Sequence, residues 1–590
     1  MVDYASQILI LVSIFAILAC SLNLTLGYAG TFSLAHAAFF GTGAYAAAKI
    51  QVDALLPWPA ELIVAVLAAG ALAAVSGYLV ARLESEQVIV ATLALQLVLT
   101  SLFMHATDWT GGSYGVYGIP PPTLFGYSLA TLPALALYTL VVAAAVYLFC
   151  RLLMRSPLGL ALRAGRDDAT LARSYGRIVG RQKIGAFTIA GALAGLAGGL
   201  YGSFGGYIEP GTFGLHQSVA IVAIVAVGGL ANLTGSVLGS AVLVSIPQML
   251  LFLPGTNTWV PHVQLMLYGI VLLLLTMLRP AGLLTEQPVV RNRRRRAPAS
   301  NESVVAGEHG NGDIEADALA AVMQKRAGGG PAPSDLEVFD VSKSFGGLKA
   351  LNSVSLTIPA GAVTALIGPN GAGKSTLFNV ITGYESADGG RVQYRGTELL
   401  GQSPPRIARL GITRTFQDLR LFFNFTALEN LAFPLTPLAA ERTSTVLLRR
   451  HMMSASWGRA VGDARDLLIA FGLEHIADRP VRELSYGESK LLAVAALYGR
   501  GSPVVLLDEL AAGLDQQGVQ TFSKLVRAMA AAGQTVCLVE HNLDFVWATA
   551  DEVIVMHHGE IFAKGTPEAV RKDRAVAEAY FGSAKAGRNA

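Results

Sequence analysis

Long apolar segments fill the first 285 residues of this 590-residue chain and limit the folds that it can adopt. This part holds 11 Lys and Arg residues and 9 Asp and Glu residues, whereas the remainder holds 33 and 32. A helix of about 20 apolar residues is long enough to cross the hydrocarbon core of a bilayer. We therefore predict a polytopic α-helical membrane domain with about nine spans. The predicted spans are 7–27, 29–50, 59–80, 88–106, 129–150, 184–205, 217–230, 234–253 and 262–279, of which 29–50 and 217–230 have the weakest patterns.

The Lys and Arg residues between the predicted spans are unevenly distributed. Eight of them lie in the loop 151–183, and the segment 291–296 adds a run of arginines. Because Lys and Arg are retained on the cytoplasmic side, we expect both segments there. The loops expected on the opposite side contain neither residue; they are 51–58, 107–128, 206–216 and 254–261. With nine spans the N-terminus lies outside, and we expect the first span to be retained and not cleaved. If 29–50 enters the bilayer without crossing it, the N-terminus lies inside and the other assignments are unchanged.

Glycines recur every four positions in the sixth predicted span, at Gly191, Gly195 and Gly199. Small residues at this spacing allow helices to approach closely in lipid. We favour packing within the chain over a contact between subunits. The pair Gly228 and Gly229 predicts a hairpin turn between two short apolar segments, with a break beside a cavity as the less favoured alternative.

His36 is the main ionisable residue inside a predicted span. Ionisable side chains at membrane depth are costly and are often functional. We nevertheless favour a hydrogen-bonded packing role for His36 over a place in a proton relay.

Residues 286–334 contain RNRRRR near their start and GGGPAPS at their end. Glycine, proline and charged residues dominate, a composition typical of flexible tethers. The sequence therefore predicts a membrane domain over 1–285, a tether over 286–334, a globular domain over 335–582 and a tail over 583–590.

The string GPNGAGKST, residues 368–376, fits the phosphate-loop pattern GxxxxGK[ST]. The apolar run VTALIG precedes it and the helical pattern TLFNVITGY follows, which is the strand–loop–helix context that the motif requires. Lys374 is expected to reach the β- and γ-phosphates and Ser375 to ligate Mg²⁺. The nucleotide-binding residues predicted here are Gly368, Pro369, Asn370, Gly371, Ala372, Gly373, Lys374, Ser375 and Thr376.

Two further motifs follow the phosphate loop. VVLLDE, residues 504–509, reads as a buried strand that ends in carboxylates, so we expect Asp508 to serve Mg²⁺ and Glu509 to polarise a water. The alternative is that these carboxylates are only the acidic edge of a structural strand. We favour the catalytic interpretation, because the chain also contains the phosphate loop. LSYGES, residues 484–489, places Ser485 and Gly487 before a helix start, where anions bind.

The motifs from 336 to 582 resemble, in type and order, the ATPases of ABC transporters. The resemblance implies an α/β P-loop NTPase domain in which Phe345 stacks on adenine, Gln417 of RTFQDLRLF senses Mg²⁺ and His541 of LVEHN lies near the γ-phosphate. It also identifies Asp515 with the D-loop and LSYGES with the LSGGQ motif, with Tyr486 and Glu488 as departures. ATP is held between two such domains in this family, so a second ATPase is implied.

The apolar part is similar to the permeases of branched-chain amino-acid ABC importers. The matching segments are TGGSYGVYGIP (110–120), 156–202, GGLANLTGSVLG (228–239) and 267–284. The resemblance implies an ATP-driven importer in the plasma membrane of a prokaryote, with a cytoplasmic ATPase that uses ATP and Mg²⁺. It implies an extracytoplasmic solute-binding protein and a second permease and ATPase, which a second copy of the chain could supply; no nucleic-acid partner is expected.

Branched-chain amino acids lead as the solute, with urea, short amides and aromatic acids as alternatives. An exporter and a non-transporting ATP-gated membrane regulator are less favoured. The resemblance also makes Arg163, Arg166, Asp167 and Asp168 part of a short helical coupling segment that docks on the ATPase.

Overall fold

The computed structural model describes residues 2–53, 55–124, 127–250, 282–290, 334–418, 420–441, 445–446, 450–512 and 516–581, with isolated residues between 266 and 277. The chain divides into two compact units. The first comprises Met1–Arg166, Val179–Val289 and Glu441–Leu448, and the second comprises Asp167–Ile178, Val290–Ala440 and Arg449–Ala590. The predicted fold class, a helical domain followed by an α/β domain, is confirmed.

The first unit is helical. Its principal helices are α1 (Val2–Asn23), α2 (His36–Val52), α3 (Ala60–Val80), α4 (Ser85–His105), α5 (Leu132–Met154), α6 (Pro157–Asp167), α8 (Val179–Gly205), α9 (Leu215–Gly228) and α10 (Leu233–Leu250). The last residue of α6, Asp167, and the short helix α7 (Ala169–Ser174) belong to the second unit. Two-residue strands pair Val116–Tyr117 with Tyr207–Ile208 and Thr123–Leu124 with Tyr127–Ser128.

Within the described residues, helices coincide with the first eight predicted spans. Five helices there are long and apolar enough to cross a membrane: Val2–Tyr28, Ala60–Val80, Glu86–His105, Leu132–Met154 and Val179–Gly205. The predicted span 262–279 and loop 254–261 lie largely or wholly outside the described residues.

The second predicted span differs from the observed helix. Residues 29–35 are not helical, and α2 begins only at His36. Gly30 has a φ of 63°, a left-handed conformation that a continuous helix does not accept. The apolar pattern alone did not reveal this break.

The glycines of α8 pack within the chain, as the sequence favoured. A Cβ on Gly195 would lie 2.5 Å from the backbone oxygen of Ala65 on α3, and one on Gly191 would lie 2.2 Å from the Cβ of Ala73. On another face of α8, a Cβ on Gly198 would lie 2.2 Å from the oxygen of Phe40 on α2. Small residues therefore allow α8 to contact two neighbouring helices at backbone distance.

Buried polar side chains secure the interior of this unit. The Nε2 atom of His36 lies 2.8 Å from the Oγ atom of Ser21, which fits the predicted packing role. Asn23 accepts from the amide of Ala231 at 2.9 Å in the turn between α9 and α10, so this glycine-containing segment is a hairpin turn as predicted. Glu61, which the sequence analysis did not single out, is also buried and accepts from Gln51.

The second unit is an α/β fold with two sheets. Its strands are β1 (Leu336–Phe345), β2 (Leu348–Ile358), β3 (Val363–Ile367), β4 (Gly389–Tyr394), β5 (Thr397–Glu398), β6 (Ile412–Arg414), β7 (Val504–Asp508), β8 (Thr535–Val539), β9 (Glu552–His557) and β10 (Glu560–Gly565). One sheet has the order β6-β7-β8-β3-β9-β10 and is parallel except for β10; the other, β2-β1-β4-β5, is antiparallel.

Besides α7, nine helices accompany the strands in the described part of this unit. They are α11 (Lys374–Ile381), α12 (Pro404–Leu410), α13 (Ala427–Leu435), α14 (Arg450–Ala470), α15 (Tyr486–Arg500), α16 (Gln516–Ala531), α17 (Leu543–Thr549), α18 (Pro567–Lys572) and α19 (Arg574–Phe581). Alternate residues of β7 enter two different cores, with Val505 and Leu507 in one and Val504 and Leu506 in the other. A parallel sheet buried on both faces explains the continuous apolar run in this strand.

Candidate nucleotide site and coupling segment

The phosphate loop connects the central strand β3 to the start of α11. Gly373 has a φ of 98°, and a Cβ there would lie 2.4 Å from the oxygen of Ala350, so only glycine fits. Lys374 donates from Nζ to the carbonyl oxygens of Gly368 and Pro369, at 2.7 and 3.0 Å. Burial lowers the pKa of Lys374, and nearby Glu509 and Asp508 oppose this effect. The loop therefore presents an ammonium and a helix N-terminus, both of which favour phosphate.

Glu509 lies at the end of β7 between an amide and an imidazole. Its Oε2 atom accepts from Nε2 of Gln417 at 3.4 Å, and its Oε1 atom lies 3.4 Å from Nε2 of His541. The backbone of Glu509 has a φ of 52°, which is uncommon for a residue with a side chain. This arrangement brings together three residues that the sequence analysis selected from separate motifs.

Asp508 is buried beside Glu509. The Oδ2 atom of Asp508 lies 3.4 Å from Nη2 of Arg414. The Oδ1 atom of Asp508 has no hydrogen-bond partner. Burial raises the pKa of Asp508 to about 6, although Arg414 opposes the shift. An unpartnered carboxylate oxygen, together with the hydroxyl of Ser375 and the amide oxygen of Gln417, is an oxygen donor set suited to Mg²⁺.

A cavity of about 710 Å³ joins these features. Its lining includes the predicted residues Phe345, Asn370, Gly371, Ala372, Gly373, Lys374, Ser375, Thr376, Gln417, Glu509 and His541. Gly368, Pro369 and Asp508 are not in the lining: the first two hold Lys374 through their carbonyls, and Asp508 is buried.

Two cationic or ionisable residues of the cavity were missed. Lys349 reaches it because the short turn between β1 and β2 returns the chain beside Phe345. His558 reaches it because β9 pairs directly with β3, so the turn after β9 lies beside the phosphate loop. The HHG sequence at 557–559 marks a turn, but strand order was needed to bring it to the site.

The LSYGES motif lies outside this cavity. Ser485 accepts from the amide of Glu488 at 3.3 Å, and Glu488 accepts from the amide of Ser485 at 2.7 Å, a reciprocal cap at the start of α15. Glu488, which replaces the usual glutamine, is therefore accommodated at the helix N-terminus. Ser485 and Gly487 are exposed, and Asp515 lies outside the described residues.

The predicted coupling cluster divides into two parts. Asp168 caps α7 in an extended conformation with a φ of −149°, which separates α7 from α6. In the first unit, Arg163 and Arg166 form ion pairs with Glu286, at 2.8 Å for Arg166. The expectation that all four charges act together on one docking helix is therefore corrected.

Residues 167–178 pack within the second unit. Asp168 lies 2.8 Å from Nη1 of Arg420, and Asp167 accepts from the backbone and side-chain amides of Asn424. Tyr384 donates from its hydroxyl to the oxygen of Thr170 at 3.0 Å. These contacts lie close in sequence to Gln417, which touches Glu509.

Arg177 anchors the end of the same segment. It is buried and donates to the carbonyl oxygens of Phe433 and Thr436 at 2.9 and 2.8 Å. Its guanidinium also lies 4.5 Å from the centre of the Phe433 ring. Arg409 donates from Nε to the oxygen of Gly176 at 3.0 Å. The charges of residues 151–183 mark the segment in the sequence, but they do not reveal these anchors.

Comparison with known proteins places both parts of the chain in families. Residues 4–276 match the branched-chain amino acid transport system / permease component, 351–512 match the ABC transporter family, and 560–586 match the branched-chain amino acid ATP-binding cassette transporter family.

Curated relatives cover the ATPase part. The high-affinity branched-chain amino acid transport ATP-binding protein BraF of Pseudomonas aeruginosa is 35% identical over 250 residues, which is 42% of this chain and 98% of the relative. LivG of Escherichia coli K12, with the same description, is 35% identical over 254 residues, which is 42% of this chain and 98% of LivG. A solved nucleotide-free ATP-binding cassette of an ABC transporter is 34% identical and covers 42% of this chain and 99% of its own, with a TM-score of 0.36.

The chain covers almost the whole of these ATPases and has a permease ahead of them. It belongs to the branched-chain amino-acid type of ATP-binding cassette transporters, as a permease fused to an ATPase that couples ATP hydrolysis to transport.

Proposed function

We propose that this chain is the permease and ATPase subunit of an importer for branched-chain amino acids or a related small polar solute. Support comes from the relatives, which are described as serving high-affinity branched-chain amino acid transport. The observation that carries the proposal is the packing of residues 167–178, which follow a permease helix, against the ATPase residues Arg420 and Asn424. Such a segment can pass a change in the ATPase to the permease.

The cavity residues support a specific assignment of roles. Phe345 stacks on adenine, and residues 368–376 bind the phosphates through backbone amides and the Lys374 ammonium. Ser375, Gln417 and Asp508 would hold Mg²⁺, which neutralises charge on the β- and γ-phosphate oxygens. The fit rests on their oxygen donors and on the unpartnered Oδ1 atom of Asp508.

Glu509 is the base in this proposal. A water attacks the γ-phosphorus, the bond to the β–γ bridging oxygen breaks, and the Glu509 carboxylate accepts the proton of the water. His541 lies beside Oε1 of Glu509 and Gln417 donates to Oε2, and we assign His541 to the γ-phosphate. Gln417 and His541 orient the carboxylate, because each approaches a different oxygen.

The site is completed by a second ATPase domain. Ser485 and Gly487 are exposed at the start of α15 and do not line the chain's own cavity. We assign them to the nucleotide of a partner domain, supplied by a second copy or a homologous subunit, and Asp515 to the same interface. Each ATPase domain then contributes to two nucleotide sites.

The proposed setting is the plasma membrane of a prokaryote. Residues 1–285 form the permease, 335–582 a cytoplasmic ATPase and 583–590 a tail. The segment 286–334 connects the two domains as a tether, although its first residue, Glu286, pairs with Arg163 and Arg166. The Lys and Arg residues of 151–183 favour a cytoplasmic position for this loop, and therefore for the ATPase that it contacts. An extracytoplasmic binding protein delivers the solute to the opposite face.

Transport by the full chain in proteoliposomes tests this proposal. A candidate binding protein from the neighbouring genes is added outside vesicles that contain Mg-ATP, and uptake of labelled leucine, isoleucine and valine is followed. ATP-dependent accumulation inside is expected, with ADP as the control. Urea, acetamide and an aromatic acid are tested in parallel, and uptake of one of these alone reassigns the solute. Efflux, or hydrolysis that no solute changes, contradicts import.

A further inference from the structure

Lys490 is a buried cation beneath the LSYGES motif. Its side chain is only 4% exposed, on the second turn of α15. Its Nζ atom donates to the carbonyl oxygen of Leu510 at 2.9 Å and to that of Ala512. A buried ammonium is costly unless its donors are satisfied, and here the chain directly after Glu509 satisfies them. Lys490 therefore joins α15 to the catalytic strand end.

Tyr486 connects Lys490 to the exposed end of α15. The Nζ atom of Lys490 lies 4.8 Å from the centre of the Tyr486 ring, within the range of a cation–π contact. The ring is 58% exposed and stands next to Ser485 and Gly487. Tyr486 is also the residue that occupies a glycine position of the LSGGQ pattern, so the contact depends on this departure.

Lys490 hydrogen-bonds to the turn Leu510–Ala512, which follows a strained residue, and a second buried side chain also bonds to this turn. Glu509 has a φ of 52°, a conformation that persists only where surrounding contacts enforce it. Between the two carbonyls that Lys490 binds, the amide of Ala511 donates to Oε1 of Glu540 at 2.7 Å. Glu540 is buried and directly precedes His541. The turn is thus fixed by Lys490 on one side and Glu540 on the other.

We propose that Tyr486 and Lys490 form an internal link that positions the chain's own Glu509 according to whether a nucleotide contacts the exposed end of α15. This inference rests on the proposed function, in which that nucleotide belongs to the partner domain's site. Closure of the partner site displaces Tyr486, Lys490 follows, and the Leu510–Ala512 turn resets the carboxylate of Glu509. Lys490 is a positioning residue, since it touches the turn and not the nucleotide.

The test compares the full chain in nanodiscs with its Lys490→Met, Lys490→Arg and Lys524→Met variants. Lys524 is an exposed lysine on α16 and is the matched control. ATP hydrolysis is measured against ATP concentration, and nucleotide binding is measured separately with a fluorescent ATP analogue. In Lys490→Met we expect kcat to fall by about 10- to 100-fold and the Hill coefficient to approach 1, with analogue affinity within about twofold. Lys490→Arg should retain at least half of the cooperativity, and Lys524→Met should match wild type.

Tyr486 provides an independent measurement if Lys490→Met folds poorly. Tyr486→Gly should lower the Hill coefficient toward 1, whereas Tyr486→Phe, which keeps the ring, should not. A wild-type Hill coefficient of 1, or unchanged cooperativity in Tyr486→Gly, overturns the link. Wild type that does not hydrolyse ATP contradicts the proposed function itself. Wild type that hydrolyses cooperatively, together with an unchanged Lys490→Met, contradicts the link alone.

Discussion

The Oδ2 atom of Asp168 lies 2.8 Å from the Nη1 atom of Arg420, although 252 positions separate them in sequence. Arg420 is three residues after Gln417, whose amide contacts the carboxylate of Glu509. The pair thus joins residues 167–178 to the segment that carries Gln417, and both segments belong to the second unit. Because both side chains are partly exposed, the ion pair contributes only about 0–1 kcal/mol to stability. Its importance lies in where it places the two segments.

Asp168→Asn and Arg420→Met should reduce the number of solute molecules transported per ATP hydrolysed. Removing the charge pair loosens residues 167–178 while the cavity keeps its residues. Uptake and phosphate release are measured in the same proteoliposomes. Arg527→Met is a matched control, because Arg527 forms an ion pair of the same length, 2.8 Å, with Asp551 away from this segment. A charge exchange, Asp168→Arg with Arg420→Asp, should restore part of the ratio; equal ratios in all variants would refute the coupling role.

Glu509→Gln should lower kcat by about 10²- to 10⁴-fold, because an amide cannot accept the proton of the attacking water. ATP binding should persist, since Lys374 and the phosphate loop are unchanged. Phosphate release gives the rate, and radiolabelled ATP that remains with the protein after gel filtration shows trapping. Glu568→Gln, at an exposed carboxylate on α18, is the control. Hydrolysis at the wild-type rate in Glu509→Gln would exclude Glu509 as the base.

The stability conferred by Glu540 should depend on pH. Burial raises the pKa of Glu540 to about 7, against hydrogen bonds from the amides of Ala511 and His541 that lower it. The folded state therefore binds the proton more tightly than the unfolded state, and stability falls as pH rises from about 4.5 to about 7. The upper limit of this loss is about 3 kcal/mol.

Glu540→Gln removes the titration and keeps an acceptor for the Ala511 amide. The melting temperature of wild type minus that of Glu540→Gln, measured in detergent, should decrease between pH 5 and pH 7.5. A difference that is constant across this range would show that Glu540 does not titrate there.

Two glycines of the phosphate loop offer a graded prediction. Gly371 and Gly373 both have positive φ, 81° and 98°, but only a Cβ on Gly373 meets another atom closely, the oxygen of Ala350 at 2.4 Å. Gly371→Ala carries only backbone strain of about 1–2 kcal/mol and should weaken nucleotide binding by about tenfold. Gly373→Ala adds the clash and should weaken it by more than about 100-fold. Equilibrium binding of a fluorescent ATP analogue measures both, and equal losses would contradict the steric argument.

Local motifs predicted most of the cavity wall. GPNGAGKST and VVLLDE specify their own strand, loop and helix, so their residues could be assigned without knowledge of the rest of the chain. Lys349 and His558 could not be found in this way, because they reach the cavity through the pairing of β1 with β2 and of β9 with β3.

The membrane unit was predicted at the level of helices and less well within them. Hydropathy located the spans but not the break at Gly30, since a left-handed residue leaves the apolar average unchanged. The coupling charges were predicted as one cluster, and the extended backbone at Asp168 divides them. Glu61 was missed because its burial depends on Gln51 and the surrounding helices, which composition does not reveal.

The glycine faces of α8 have a mechanical consequence. Its backbone contacts α3 through Gly191 and Gly195 and α2 through Gly198, with no space for even one added carbon. Surfaces packed this closely resist sliding, so we expect α2, α3 and α8 to move together in any rearrangement of the permease.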